Sequence, residues 1–168
     1  MPSVRGVSWL GYHVGSAYTA VRDPSRSRFV YRDRLWEGAD MVGLGVASFG
    51  HLNGVHVQNL DTWEAYVTAL DGDDLPLGRA YTPTDEERLI RELVLQLKRG
   101  AIEPAYFQSK YGVDVLERFR SPLGELRDEG YLSAADADRV ALSREGLLRV
   151  DMLLRRFFLP EHVGIRYT

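Results

Sequence analysis

The sequence predicts an α+β fold in which short β-strands occupy the first 60 residues and helices dominate from residue 82 onward. Two features of the pattern carry that expectation. Runs rich in aromatics, Val and Thr, separated by turn residues, fill the first third, whereas after residue 60 the apolar side chains recur at helical spacing. Between the two regimes lies 71–79 (DGDDLPLGR), a polar stretch with Gly and Pro that marks the clearest boundary in the chain. The expected division is terminal strands over 1–60, a connecting helix and linker over 61–81, and a helical C-terminal domain over 82–168.

Each element follows from its residues. Tyr12 to Val21 has strand composition, Asp23-Pro24-Ser25-Arg26-Ser27 is turn chemistry, and Arg28 to Arg34 reads as the returning strand of a hairpin over 12–34. A third strand is expected at Asp40 to Ser48. Met41, Val42, Leu44, Val46 and Ala47 make it nearly continuous in apolar residues, as in a strand buried on both faces. Asn53-Gly54 between Leu52 and Val55 signals a tight turn. Asp61 is placed to cap a helix over Thr62 to Leu70, with Glu64 at the capping-box position. Thr82-Pro83 opens the longest helix and Gly100 ends it, with Leu89, Ile90, Leu93, Val94 and Leu97 as its apolar stripe.

From residue 104 the elements shorten. A helix over Pro104 to Tyr111 stops at Gly112, and another runs from Val115 to Gly130 with an interruption at Ser121-Pro122. Tyr131-Leu132, a loop over Ser133 to Asp138 and a strand over Arg139 to Leu142 then lead to a helix capped by Ser143. That helix carries Leu147, Val150, Leu154 and Phe157 on one stripe. Three helices, a β-hairpin and a helix form a winged-helix-like order. DNA binding does not follow from it. Residues 84–160 hold thirteen basic against fourteen acidic side chains, and Ser121 to Glu129, the candidate recognition segment, has three acids and one Arg. A groove-reading helix needs the opposite balance.

Composition excludes more than it selects. The chain of 168 residues has 45% hydrophobic residues, which fits a globular protein. Its 21 Lys plus Arg against 24 Asp plus Glu give a net charge of −3, unsuited to coating nucleic acid or anionic membrane. There is no cysteine. Disulfides, thiolate metal sites and cysteine nucleophiles are therefore impossible within the chain. No apolar run approaches the roughly 20 residues that cross a bilayer, and no export signal is evident, so a cytoplasmic location is expected.

Three constellations have a chemical reading. Gly43 to Gly50 (GLGVASFG) lacks the GxGxxG spacing of a dinucleotide loop, and its glycines mark close backbone approach, either to another element or to a ligand. His51 and His56 flank the Asn53-Gly54 turn and can line the mouth of the strand layer; with no third protein ligand evident, no metal site is assigned. Arg22, Arg26, Arg28, Arg32 and Arg34, interleaved with Asp23 and Asp33, read as the solvated face of a hairpin edge rather than a carboxylate-binding group.

Residues 31–59, YRDRLWEGADMVGLGVASFGHLNGVHVQN, resemble the end of the radical-SAM core of the oxygen-independent coproporphyrinogen III oxidase family (HemN/HemW type), where a strand of the form G-[LI]-G-x-x-[AS] precedes a turn and a Gln-Asn pair. Gly130-Tyr131-Leu132 and the Ser143-to-Gly146 helix start resemble that family's C-terminal domain. The resemblance implies strands from the end of a partial radical-SAM barrel followed by the winged-helix-like domain. It implies that Gly45, Val46, Ala47, Ser48 and Phe49 face S-adenosylmethionine and substrate, and that His51, His56, Gln58 and Asn59 form the polar loop beside them.

The family also carries a Cys-x-x-x-Cys-x-x-Cys motif holding a 4Fe–4S cluster, which this chain cannot supply. A C-terminal portion is the natural interpretation, completed by a separate N-terminal radical-SAM half or by self-association, with a tetrapyrrole-like small molecule as the substrate. The family's binding branch suggests an alternative, a porphyrin- or haem-holding module with His51 or His56 as axial ligand; a ligand-free interaction domain is a third. Anaerobic reconstitution of this chain with iron and sulfide is expected to give no cluster and no 5′-deoxyadenosine from S-adenosylmethionine. Turnover that depends on this chain alone would overturn that expectation.

Overall fold

The computed structural model describes residues 10–163, so expectations for 1–9 and 164–168 lie outside the described residues. These fall in two compact units, one formed by Tyr31–Arg88 and the other by the chain up to Val30 together with Leu89 onward. Mixed α and β structure is present in small sheets and short helices. No helix among the described residues is long and apolar enough to cross a membrane.

The second of these units begins with a hairpin, β1 (His13–Ser16) and β2 (Thr19–Val21), shorter than the 12–34 hairpin expected. Its tip is tied to the rest of the unit. Ala17 N–H donates to Lys98 O at 2.8 Å, Tyr18 Oη–H donates to Asp151 at 2.5 Å, and Lys98 Nζ lies 3.0 Å from the same carboxylate. Burial works against ionisation of Asp151, yet the hydrogen bonds from Tyr18 and Lys98 prevail and hold its pKa below the usual value.

Arg28 to Arg34 is not the returning strand. Val30–Trp36 is helix α1, and two contacts stand at helical spacing along it, Arg32 with Trp36 and Arg34 with Glu37. The Arg32 guanidinium lies 5.0 Å from the Trp36 ring centroid, one turn on, and also bonds Asp33 at 2.6 Å. Upstream, the Asp23 carboxylate accepts from Ser25 N–H and Oγ–H, and its carbonyl accepts from Arg26 and Ser27 N–H, so this turn winds rather than reverses.

The unit Tyr31–Arg88 is built on an antiparallel sheet of β3 (Phe49–Leu52), β4 (Val55–Asn59) and β5 (Leu77–Tyr81), in that order. Asn53 and Gly54 close the β3–β4 hairpin as expected, both at positive φ (47° and 79°), the geometry a two-residue turn demands. Helix α2 (Trp63–Asp71) crosses between β4 and β5, with Thr62 rather than Asp61 accepting from the Ala65 N–H. The expected linker over 71–79 thus holds the start of β5. The expected strand over 40–48 is absent. Met41 alone pairs, with His51, and residues 43–48 turn back on themselves.

Helix α3 (Asp85–Leu97) opens with a reciprocal cap in which Glu87 N–H donates to Thr84 Oγ1 and Thr84 N–H donates to Glu87 at 2.7 Å. Its stripe of Leu89, Ile90, Leu93, Val94 and Leu97 is buried, as the spacing predicts. Around it stand β6 (Ala101–Ile102), α4 (Pro104–Tyr111), α5 (Val115–Arg118) and α6 (Arg120–Asp128). The hairpin β7 (Leu132–Ala135) and β8 (Val140–Leu142) follows, with β8 central between β6 and β7. Then come α7 (Arg144–Leu148), α8 (Val150–Leu153) and a 3₁₀ turn over Leu154–Phe157. Ser121-Pro122 does not break the helix; the break falls at Phe119, and Pro122 sits in the first turn of α6, where no N–H partner is lost. Among the described residues one carboxylate is buried: Glu92 accepts from Tyr106 Oη–H at 2.7 Å and from Lys110 Nζ at 2.6 Å.

The Ser143-to-Gly146 signature has a steric cause. Ser143 Oγ accepts from Gly146 N–H at 3.1 Å, and a Cβ at Gly146 would stand 2.3 Å from Tyr131 O, itself held by Ser143 N–H. Helix α7 therefore approaches the start of β7 as closely as glycine permits. Gly146→Ala is expected to cost about 3 kcal/mol or more through overpacking against backbone, read as a lowered urea midpoint at unchanged slope. A midpoint within error of the parent would refute the close-approach role.

Candidate functional site

The segment that the sequence singles out, 43–49, is a clamped loop. Its turns are set by Gly45 at φ +103° and Ala47 at φ +57°. Asn59, buried at the end of β4, holds it from beneath: Nδ2 donates to Gly43 O at 3.0 Å and to Gly45 O at 2.9 Å. Three backbone bonds close the frame, from Ala47 N–H to Leu60 O, from Ser48 N–H to Gly45 O and from Asn59 N–H to Ser48 O. Tyr66 of α2 reaches in, its hydroxyl oxygen accepting from Gly45 N–H at 3.1 Å.

Ser48 and Gln58, like Gly45, Ala47 and Asn59, have a place in this frame. Ser48 Oγ–H is committed to Leu44 O at 2.7 Å. Gln58 donates through Nε2 to Ala47 O at 3.1 Å and accepts from Arg79 Nε at 2.5 Å. Gln58 and Asn59 therefore anchor the loop by amide hydrogen bonds, through carbonyls that a ligand would otherwise meet. Phe49 lies in β3 rather than in a pocket strand and is exposed. Val42 and Leu44, expected on a strand buried on both faces, are 65% and 85% exposed.

The glycines divide into two kinds. A Cβ at Gly43 would meet Phe49 O at 2.2 Å, and one at Gly50 would meet Val57 Cγ2 at 2.8 Å, so both permit the chain to pack on itself. At Gly45 the added atom would find only Ser48 Oγ, at an ordinary 3.5 Å, and there glycine serves the positive φ.

Beside the loop runs a row of directly paired residues: Met41 opposite His51, His51 opposite His56, and His56 opposite Tyr81. The two imidazole centroids are 4.5 Å apart at 64°, an edge contact. His51 is only 5% exposed, so its ring has no open side for a porphyrin plane, while His56 is half-buried. Sequence reasoning missed Met41, Tyr66, Arg79 and Tyr81 as members of this region. The first and last come in through register, and no spacing rule reveals register before the hairpin is placed.

The iron–sulfur cluster that the resemblance implies does not fit these residues. Among the described residues no group of three or more His, Cys, Asp or Glu side chains is placed to hold a metal ion, and the chain has no cysteine. Asn59→Asp replaces the donating amide by a carboxylate facing two carbonyl oxygens. It is expected to cost about 2 kcal/mol more than Asn59→Ala and to speed hydrogen exchange at Gly45 and Ala47. Equal stability of the two variants would refute the clamp.

No protein-family model matches the chain. It is 24% identical over 119 residues to the oxygen-independent coproporphyrinogen III oxidase of Helicobacter pylori, which spans 69% of this chain and 26% of the relative. The Synechocystis enzyme of the same name is 30% identical over 79 residues, 45% of this chain and 16% of the relative. In fold, the chain matches coproporphyrinogen III oxidase (HemN) from Escherichia coli, a radical SAM enzyme, with a TM-score of 0.72 and 15% identity over 92% of this chain and 38% of that one. The match therefore spans about a quarter or less of the curated relatives' length. Sequence and fold together show that this chain resembles the C-terminal part of the oxygen-independent coproporphyrinogen III oxidases.

Proposed function

We propose that the chain is the C-terminal, pocket-closing portion of a coproporphyrinogen III oxidase-like radical-SAM enzyme of tetrapyrrole metabolism, inactive without a cysteine-bearing core and working with it in the cytoplasm. In this reading residues 31–60 are the end of a partial barrel and the helical part from residue 82 is a winged-helix-like cap. The cluster and S-adenosylmethionine supply the radical chemistry from the core. This chain's own residues position and cover: Asn59, Gln58 and Tyr66 hold the loop, and Gly45 to Phe49 present its outer surface to the pocket.

The observation that carries the reading is the asymmetry of that loop. Its polar side-chain tethers come from Gln58, Asn59 and Tyr66 of the same unit, while Leu44 and Phe49 on the loop and the adjoining Val42 stand exposed. A conformation held this firmly with large apolar side chains outward fits a surface that another protein segment completes. The partner proposed for it is a cysteine-bearing radical-SAM core.

The test mixes the purified chain with the cysteine-bearing core of a relative, cut before its matched region. The chain is expected to bind that core and raise 5′-deoxyadenosine formation by at least about tenfold, a gain of about 1.4 kcal/mol in barrier. Leu44→Asp should abolish both effects. Core turnover that is unchanged by saturating chain, or a chain that only self-associates through Leu44, would overturn the proposal.

A further inference from the structure

The cross-strand row outside the clamped loop has a chemistry that the proposed function does not use. We propose that Met41, His51 and His56 form a binding site for one soft monovalent metal ion, copper(I), held by two imidazole nitrogens and a thioether.

The placement comes from sheet register. Residues directly opposite across antiparallel strands project from the same face, so the Met41–His51 bridge and the His51–His56 pair set these three residues side by side on one face of the sheet. Met41 and His51 exchange both backbone bonds at 2.7 Å, which fixes the sulfur-bearing residue against the first histidine. The second constraint is distance. With metal–nitrogen bonds of about 2.0–2.1 Å, two imidazoles on one ion stand about 4.5–6 Å apart between centroids, and these stand at 4.5 Å.

Burial selects the kind of ligand. His51 is 5% exposed and Met41 and His56 are half-buried, so a bare ion can enter past His56 while a macrocycle cannot lie on His51. Ligand type then selects the metal. Imidazole suits zinc and copper alike, so it is the soft thioether that favours copper(I), while magnesium wants oxygen ligands that this row does not offer. Tyr81, the fourth member, is turned to another task, since its hydroxyl donates to Glu87 at 2.5 Å. The Tyr31 hydroxyl donates to Met41 Sδ at 2.8 Å and uses one of the two sulfur lone pairs, so a thioether that binds the ion does so through the second.

The site is tested by anaerobic competition of the full 168-residue chain against a chromogenic copper(I) chelator. One equivalent is expected to bind. His56→Gln, at the more accessible imidazole, should weaken binding at least about 100-fold, and Met41→Leu about tenfold, since losing a direct ligand costs no less than the roughly 10–100-fold lost with an outer-shell partner. Zinc affinity should not respond to Met41→Leu. His13→Gln with His162→Gln should stay within about twofold of the parent, a difference below 0.5 kcal/mol. Because His51→Gln alters a buried position, copper X-ray absorption of the parent is the second readout, with one sulfur and two nitrogen scatterers expected. Sub-stoichiometric copper, a shell without sulfur, or a His56→Gln variant with a native circular dichroism spectrum and unchanged affinity would overturn the proposal. So would histidine-dependent uptake of ferric haem with no uptake of copper(I).

Discussion

Among the described residues the buried hydrophobic core lies between Leu89 and Phe157, with Leu93, Leu97, Phe107, Val115, Leu126 and Val140 the most enclosed of its members. Within Tyr31–Arg88 the buried positions are instead Gly50, His51, Asn59, Pro76 and Pro83. That unit is shaped by hydrogen bonds and register, with little hydrophobic burial to hold it. Removing apolar area from water is the dominant favourable term in folding, and a net hydrogen bond contributes only about 0.5–1.5 kcal/mol. A 58-residue unit of this kind needs its polar tethers in place. The Asn59 clamp matters for this reason: one side chain satisfies two carbonyls that the loop leaves without strand partners.

The same difference decides which parts of the structure were legible in the sequence. Where a core exists, local signals and tertiary packing agree. The α3 stripe, the Ser143 cap and the stop at Gly112, which adopts φ +69°, all stand where the sequence places them. Where the core is absent, apolar composition misleads. Residues 40–48 have the content of a fully buried strand, yet apart from the Met41 bridge they find no neighbouring strand among the described residues and fold into a turn. The reverse error falls at Leu77–Tyr81, whose Gly and Arg read as linker. Pairing with β4, through the bulge at Gln58/Asn59, makes it a strand.

The candidate site was legible as a set of residues and illegible as an arrangement. Gly45, Ser48, Gln58 and Asn59 do converge, but their polar groups point into the loop's own backbone. His51 and His56, noted as neighbours of a turn, become a pair only once the two-residue turn sets Leu52 opposite Val55. A shift of one residue would place the imidazoles on opposite faces. The clamp shows what the Gln58 and Asn59 amides do: they hold carbonyls of the loop that precedes β3.

The Tyr18–Asp151 bond joins residues 133 positions apart in sequence. Contacts of such separation raise contact order, and the entropy of closing the intervening loop must be lost before they reward the chain. The β1–β2 hairpin can form by itself within microseconds, but its seat on Lys98 and Asp151 exists only after α3 and α8 have packed. This early hairpin is thus among the last elements of its unit to find its place, and the Tyr18 hydroxyl has its Asp151 acceptor only from then on.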